Sequence, residues 1–295
     1  MTFNDSSKLD PSKVSRRKRG ALIGGGGGAL VVVGLLVLSQ LLGVDLTGLA
    51  GQAGGGQGQS VEEESLDRCT TGAAANSETD CLMVGAASSL DTYWAAEAPA
   101  LGLTYRSPAD FVLFDQSTST GCGQGSAATG PFYCPPDETI YVDTSFFDEL
   151  RTRFGASGGS LSQLYVVAHE WGHHIQQLAG LNETTDRSGT GADSDSVRIE
   201  LQADCYAGAW AGSASTVKDE NGVTFLDPLS GEQIADALNA ASVIGDDRIQ
   251  QQSGQQVNPE TWTHGSSEQR QKWFTSGYNG GPAACDTFGA SAAEL

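Results

Sequence analysis

"VVAHEWGHHIQQLAG", residues 166–180, carries three of the chain's four histidines within six positions, with a glutamate between the first two. Leu164, Val167, Ala168, Trp171, Ile175 and Leu178 recur at helical spacing, which predicts a helix over 161–180 that stops at Gly180. Residues four apart on a helix share a face, one turn apart. His169 and His173 can therefore take adjacent corners of a zinc tetrahedron, while Glu170 sits one step round, able to reach a water rather than the metal. Gly172 has no side chain and leaves room for another backbone or a substrate. His174 falls off the ligand face, and a packing role is expected for it.

A hydrolytic zinc takes three protein ligands and keeps one position open. His264 is the one histidine outside the cluster, so a carboxylate is sought as the third ligand. "RIELQADCYAG", within a helix predicted over 197–212, places Glu200 and Asp204 four apart among Ile199, Leu201, Ala203 and Cys205. Such apolar neighbours argue against a solvated acidic face. Glu200 is expected to bind the metal, and Asp204 to accept a hydrogen bond from the far nitrogen of a ligating histidine.

Around this pair, helices are predicted over 81–99, 145–155, 232–245 and 266–278, the last opening with Ser266 three residues before Gln269 as a capping box. Strands are predicted over 111–116 and 138–147, and the stretch between them reads as loop. At most three short strands with about six helices give an α+β domain. Six cysteines, Cys69, Cys81, Cys122, Cys134, Cys205 and Cys285, all follow residue 60. An even number suggests disulfides, and local closure favours Cys69–Cys81 and Cys122–Cys134, leaving Cys205–Cys285. No C-x-x-C pair offers a thiolate zinc site.

The formal charge of −20 is uneven: residues 61–295 hold 33 acidic against 10 basic side chains. Nucleic acid and anionic lipid headgroups should be repelled by such a domain. Residues 1–20 are instead basic and precede an uncharged run over 20–44, long enough for the ~30 Å hydrocarbon core at ~1.5 Å per residue. The expected organisation is a basic cytoplasmic tail (1–20), a transmembrane anchor (21–44), a Gly-rich linker (45–60) and an exported domain (61–295). A cleaved signal peptide is the rival reading, with a longer apolar region than such peptides usually have. Asp193–Ser196 and Gly245–Asp247 lack the spacing of a calcium loop and read as solvated or capping acids.

H-E-x-x-H followed by E-x-x-x-D resembles the gluzincin arrangement of zinc peptidases. With "GPFYCPPDETIYVDTSFF", "YVVAHEWGHHIQ", "ELQADCYAGAW", "IGDDRIQ" and "THGSSEQRQKWFTSGY", the chain resembles the bacterial neutral zinc metallopeptidases. That resemblance implies a zincin-like fold, one Zn2+ per chain, and a peptide or protein substrate cleaved outside the cytoplasmic membrane. Glu170 would be the general base. A donor for the developing oxyanion is also needed, with His264 the leading candidate and Tyr165, Tyr206 and Arg270 weaker ones. By analogy with such folds, "TIYVD" (139–143) is the expected sheet edge for substrate backbone. Two alternatives stay open: a zinc-stabilised surface scaffold without turnover, which would have no need of Glu170, and a zinc hydrolase acting on cell-wall crosslinks.

Overall fold

The computed structural model describes residues 2–18, 62–126 and 129–295. Five strands form one mixed sheet: β1 (Ser15–Lys18), β2 (Glu62–Glu63), β3 (Asp110–Phe114), β6 (Phe132–Cys134) and β7 (Thr139–Asp143). Their order is β2-β1-β3-β7-β6, with β1, β3 and β7 parallel and the two edge strands antiparallel to their neighbours. The remaining two, β4 (Ser117–Thr120) and β5 (Gly123–Ser126), pair as a separate hairpin. Alternation along the strands sorts their side chains between two faces. Phe111, Leu113, Ile140 and Val142 join the main core, whereas Val112, Phe114 and Tyr141 form a smaller cluster with Cys134.

The principal helices are α1 (Thr79–Glu97), α2 (Phe146–Thr152), α3 (Ser160–Leu178), α4 (Asp195–Ser213), α5 (Gly231–Val243), α6 (Asp246–Gln252) and α7 (Ser267–Gly280). The α+β class is as expected, and the capping box of α7 forms between Ser266 and Gln269. More strands are present than expected: β1, β4, β5 and β6 lie in stretches read as tail or loop. The disulfides are the two pairs favoured by local closure, Cys69–Cys81 and Cys122–Cys134, and the remaining pair, Cys205–Cys285.

The helices pack unusually close at glycines. A Cβ on Gly208 of α4 would lie 1.9 Å from the Phe274 carbonyl oxygen of α7, and one on Gly277 would lie 1.8 Å from that of Cys205. Between α3 and α4 the contact is looser: a Cβ on Gly172 would sit 3.0 Å from the Cα of Ala203. Gly172 thus admits a neighbouring backbone, as its lack of a side chain suggested.

The boundary drawn after residue 20 is corrected by the packing of residues 2–18. Phe3 is 1% exposed, its ring against Gly85 of α1. The amide of Asn4 donates to the Phe225 carbonyl (2.9 Å), and that of Leu9 to Thr70 (3.0 Å). Beyond them β1 lies inside the sheet, with Lys18 opposite Glu62, and the buried Arg16 guanidinium pairs with Asp115 at 2.8 Å. Basic residues that read as a tail are therefore ion-paired parts of the domain. Strands hydrogen-bonded side by side share one compartment, so β1 belongs with its neighbours β2 and β3. The expected anchor (21–44) and linker (45–60) lie outside the described residues, and among the described residues no helix is long and apolar enough to cross a membrane.

This placement predicts the labelling of single cysteines introduced at two exposed serines, Ser12→Cys and Ser157→Cys. A membrane-impermeant maleimide applied to intact cells should reach both or neither. Labelling of Ser157→Cys alone would restore the tail reading.

Candidate metal centre

Helix α3 carries His169 and His173 one turn apart, their ring centroids 4.8 Å from each other. Helix α4 crosses it at Gly172 and brings Glu200 onto the same spot. His169 Nε2 lies 3.1 Å from Glu200 Oε2, and His173 Nε2 lies 3.6 Å from that oxygen. Ligands about 2.0–2.1 Å from a tetrahedral zinc are separated by about 3.3 Å, so these three donors have the spacing one shared ion requires. All three ligand atoms lie within 4.8 Å of one another.

Each histidine is oriented from behind. His169 Nδ1 donates to Asp204 Oδ1 at 2.8 Å, the part expected of Asp204. His173 Nδ1 donates to Gln176 Oε1 (2.8 Å), whose amide donates to the Ile199 carbonyl (2.7 Å) and to Gln202 (3.1 Å). Asp204 is fully buried and also accepts from Arg270 Nε (2.8 Å), Arg270 Nη2 (3.0 Å) and the Tyr165 hydroxyl.

Burial alone would raise the Asp204 carboxyl, but the charges of Arg270 and His169 overcome it and hold the group down at about 2. Burial would lower His169, yet Asp204 and Glu200 push it up to about 10. Glu200 is held well below the usual carboxylate range despite its burial, by His173 and His169. A site that so favours positive charge suits a cation bound by two imidazoles and a carboxylate.

Glu170 is buried beside the triad, and its Oε2 accepts from the Tyr133 amide at 2.8 Å. Burial raises its carboxyl above the usual range, against the pull of the two histidines. Since Tyr133 belongs to β6, that strand is the sheet edge over the metal helix. The expected edge, 139–143, is instead β7, held on both sides by β3 and β6.

His264 lines the same cleft, a cavity of about 410 Å³ shared with His169, Glu170, His173 and Glu200. Its side chain is 51% exposed, with Nδ1 3.4 Å from Asp246 Oδ1. Partial burial would lower its pKa, but Asp246 and Glu200 raise it. Asp246 Oδ2 accepts from three successive backbone amides, Thr263 (2.8 Å), His264 (2.7 Å) and Gly265 (3.0 Å). The GDD acids are thus loop organisers, as Asp247 also shows by accepting from the Ser267 amide at 2.7 Å.

The weaker oxyanion candidates are engaged elsewhere. Arg270 and Tyr165 hold Asp204, and Tyr206 packs edge-on against Trp94 with centroids 5.1 Å apart. His174 is fully buried between the Tyr133 hydroxyl (3.1 Å) and the Arg106 carbonyl (2.8 Å), and burial depresses its pKa to about 4, so it stays neutral. Sequence reasoning missed Gln176, legible as the third residue after His173, and Arg187, whose Nη2 lies 3.4 Å from Glu200 Oε1 and which no local signal marks.

The chain belongs to the family described as "Putative neutral zinc metallopeptidase", whose model matches residues 6–288. Among its relatives are the uncharacterized protein Rv2575 of Mycobacterium tuberculosis H37Rv and Mb2605 of Mycobacterium bovis. Each is 49% identical over 299 residues, covering 100% of both chains. YpfJ of Escherichia coli K12, also uncharacterized, is 41% identical over 269 residues, 88% of this chain and 87% of the relative. No solved structure matches the chain. Membership in this zinc metallopeptidase family implies zinc, and His169, His173 and Glu200 are the group among the described residues fitted to hold it.

Two variants probe the centre. Asp204→Asn should lower zinc affinity about 10–100-fold, read by chelator competition, because the acceptor that orients His169 loses its negative charge. Asp246→Asn should cost about 2 kcal/mol at neutral pH, since several amides lose a charged acceptor. The Asp246 carboxyl is lowered by His264 and these amides despite burial. Its depressed folded-state pKa gives stability that is present above the ordinary carboxylate range and lost as pH falls through the folded value. Denaturant midpoints of the parent and Asp246→Asn should therefore converge in acid.

Proposed function

We propose that the chain is a zinc-dependent peptidase, with His169, His173 and Glu200 holding the metal and Glu170 as general base. The observation that carries the reading is the grouping of these four side chains at one cleft, with His169, His173 and Glu200 at the donor spacings a tetrahedral ion needs. Zinc held there supplies a Lewis acid that activates water and polarises a carbonyl.

The rest of the chemistry falls to the protein. Glu170, its carboxyl raised by burial, accepts a proton at its carboxylate and passes it to the leaving amine. His264, half exposed and favoured in its charged form, donates a hydrogen bond to the oxygen on which charge develops. The edge of β6 offers backbone groups to an extended peptide. His169 and His173 are kept in place by Asp204 and Gln176, so the ligand face costs little reorganisation when the metal binds.

An oxidising compartment outside the cytoplasmic membrane belongs to the same proposal, supported by three disulfides and no free cysteine among the described residues. Attachment through the apolar run at 21–44 is included, with the strands on its two sides, β1 and β2, in one compartment.

The test uses full-length protein, zinc per chain measured by mass spectrometry, and cleavage of a random peptide library. One zinc per chain, cleavage by the parent, and cleavage reduced at least about 1,000-fold in Glu170→Gln with its zinc retained are expected. Zinc without cleavage by either protein would favour the scaffold. Folded protein without zinc would remove the ligand assignment.

A further inference from the structure

The cleft has two unlike flanks. On the side of the C-terminal end of α3 stands Arg187, whose Nη1 donates to Asn182 Oδ1 at 3.3 Å and whose Nη2 reaches Glu200. The flank toward the N-terminal half of α3 is apolar. Val166 lies one turn before Glu170 on α3, and Phe146, Phe154, Ile244 and Ile249 join it in lining the cavity. These side chains come from α2, the segment after it, the end of α5 and α6, which α6 helps tie together through Gln252 Nε2 to the Phe154 carbonyl (3.3 Å).

None of the five has a side-chain polar atom with which to bind a metal or to hydrogen-bond its ligands. Four of them, Phe146, Phe154, Ile244 and Ile249, are only half buried, leaving apolar surface open toward the cleft. Apolar surface gathered from four elements beside a general base, in a domain otherwise rich in acid, fits a pocket for a substrate side chain. Among the described residues, no acidic side chain other than Glu170 and Glu200 lines the cavity, so none of them on this flank would hold a cationic side chain.

Resting on the peptidase reading above, we propose that Val166, Phe146, Phe154, Ile244 and Ile249 form the specificity subsite, which selects peptides with a large apolar residue, phenylalanine or leucine, beside the scissile bond. Burial of such a side chain is worth about a ten- to hundredfold preference over alanine.

Zinc-loaded full-length protein is given peptides differing only at the residues flanking the scissile bond, with Phe, Leu, Ala or Asp there. Separately, the Glu170→Gln protein, which cannot turn over, is titrated with the capped peptides acetyl-Gly-Phe-Gly-amide and acetyl-Gly-Ala-Gly-amide by NMR. Ile249→Asn and Phe154→Ser repeat both measurements, with thermal melts to verify folding. The expected result is a ten- to hundredfold preference in kcat/KM for Phe or Leu over Ala, at least fivefold smaller in either folded variant, with the same order in binding. Cleavage without apolar preference would overturn the subsite and leave the peptidase. Absence of cleavage with Phe-selective binding lost in Ile249→Asn would support the subsite and overturn the peptidase. Neither cleavage nor selective binding would overturn both.

Discussion

Asp204 is a carboxylate with no access to water, and its hydrogen bonds join three helices. It takes His169 and Tyr165 from α3 and Arg270 from α7, while itself standing on α4. A buried ion pair is weak evidence of net stability, because both charges lose their hydration. What the arrangement does fix is register. Arg270 can satisfy its fork only if α7 lies at one height along α4, and His169 can reach Asp204 only if α3 does the same. The ligand set is therefore a consequence of how the three helices are pinned, and Glu200, one turn before Asp204, arrives opposite the histidines for that reason.

Such pinning needs helix axes close enough for short side chains to meet. Glycines supply this: Gly208 and Gly277 let α4 and α7 touch backbone to backbone, and Gly172 lets Ala203 approach α3 beside the ligands. The Cys205–Cys285 disulfide leaves α4 at the residue after Asp204 and ties in the segment beyond α7. Small residues, a covalent bridge and a buried carboxylate thus act on the same few turns. A wider separation of α3 and α4 would part Glu200 from the histidines before it cost much apolar burial elsewhere.

What could be read from the sequence was what local spacing encodes. Four-residue spacing put His169 with His173 and Glu200 with Asp204, the apolar neighbours of Glu200 gave its burial, and cysteines close in sequence gave two of the disulfides. What escaped depended on contacts between distant segments. β6 has three residues beside a proline, too few for a period, and becomes a strand only by pairing with β7. β1 is worse: Arg16, Arg17 and Lys18 look like a solvated basic tail, and it takes pairing with β2 and β3, with Asp115 and Asp80 beside Arg16, to make them strand residues. Arg270 was weighed as a donor to substrate because nothing in "SSEQRQKW" shows that a buried carboxylate awaits it.

The charge of the domain bears on how substrate choice should be understood. With 33 acidic and 10 basic residues beyond residue 60, a preference for cationic peptides would be an easy guess. The cleft does not carry that charge. Its acids are Glu200 and Glu170, both taken up in the proposed catalytic set, while its remaining wall includes aromatic and aliphatic side chains on one side and Arg187 on the other. Long-range acidity can slow or speed the approach of a charged chain. Discrimination at the scissile bond depends on groups within a few ångströms of it, where desolvation makes apolar contact and unpaired charge weigh most. In this cleft the proposed subsite of Val166, Phe146, Phe154, Ile244 and Ile249 carries no charge, so on that proposal the surface charge and the selectivity of the site are separate properties.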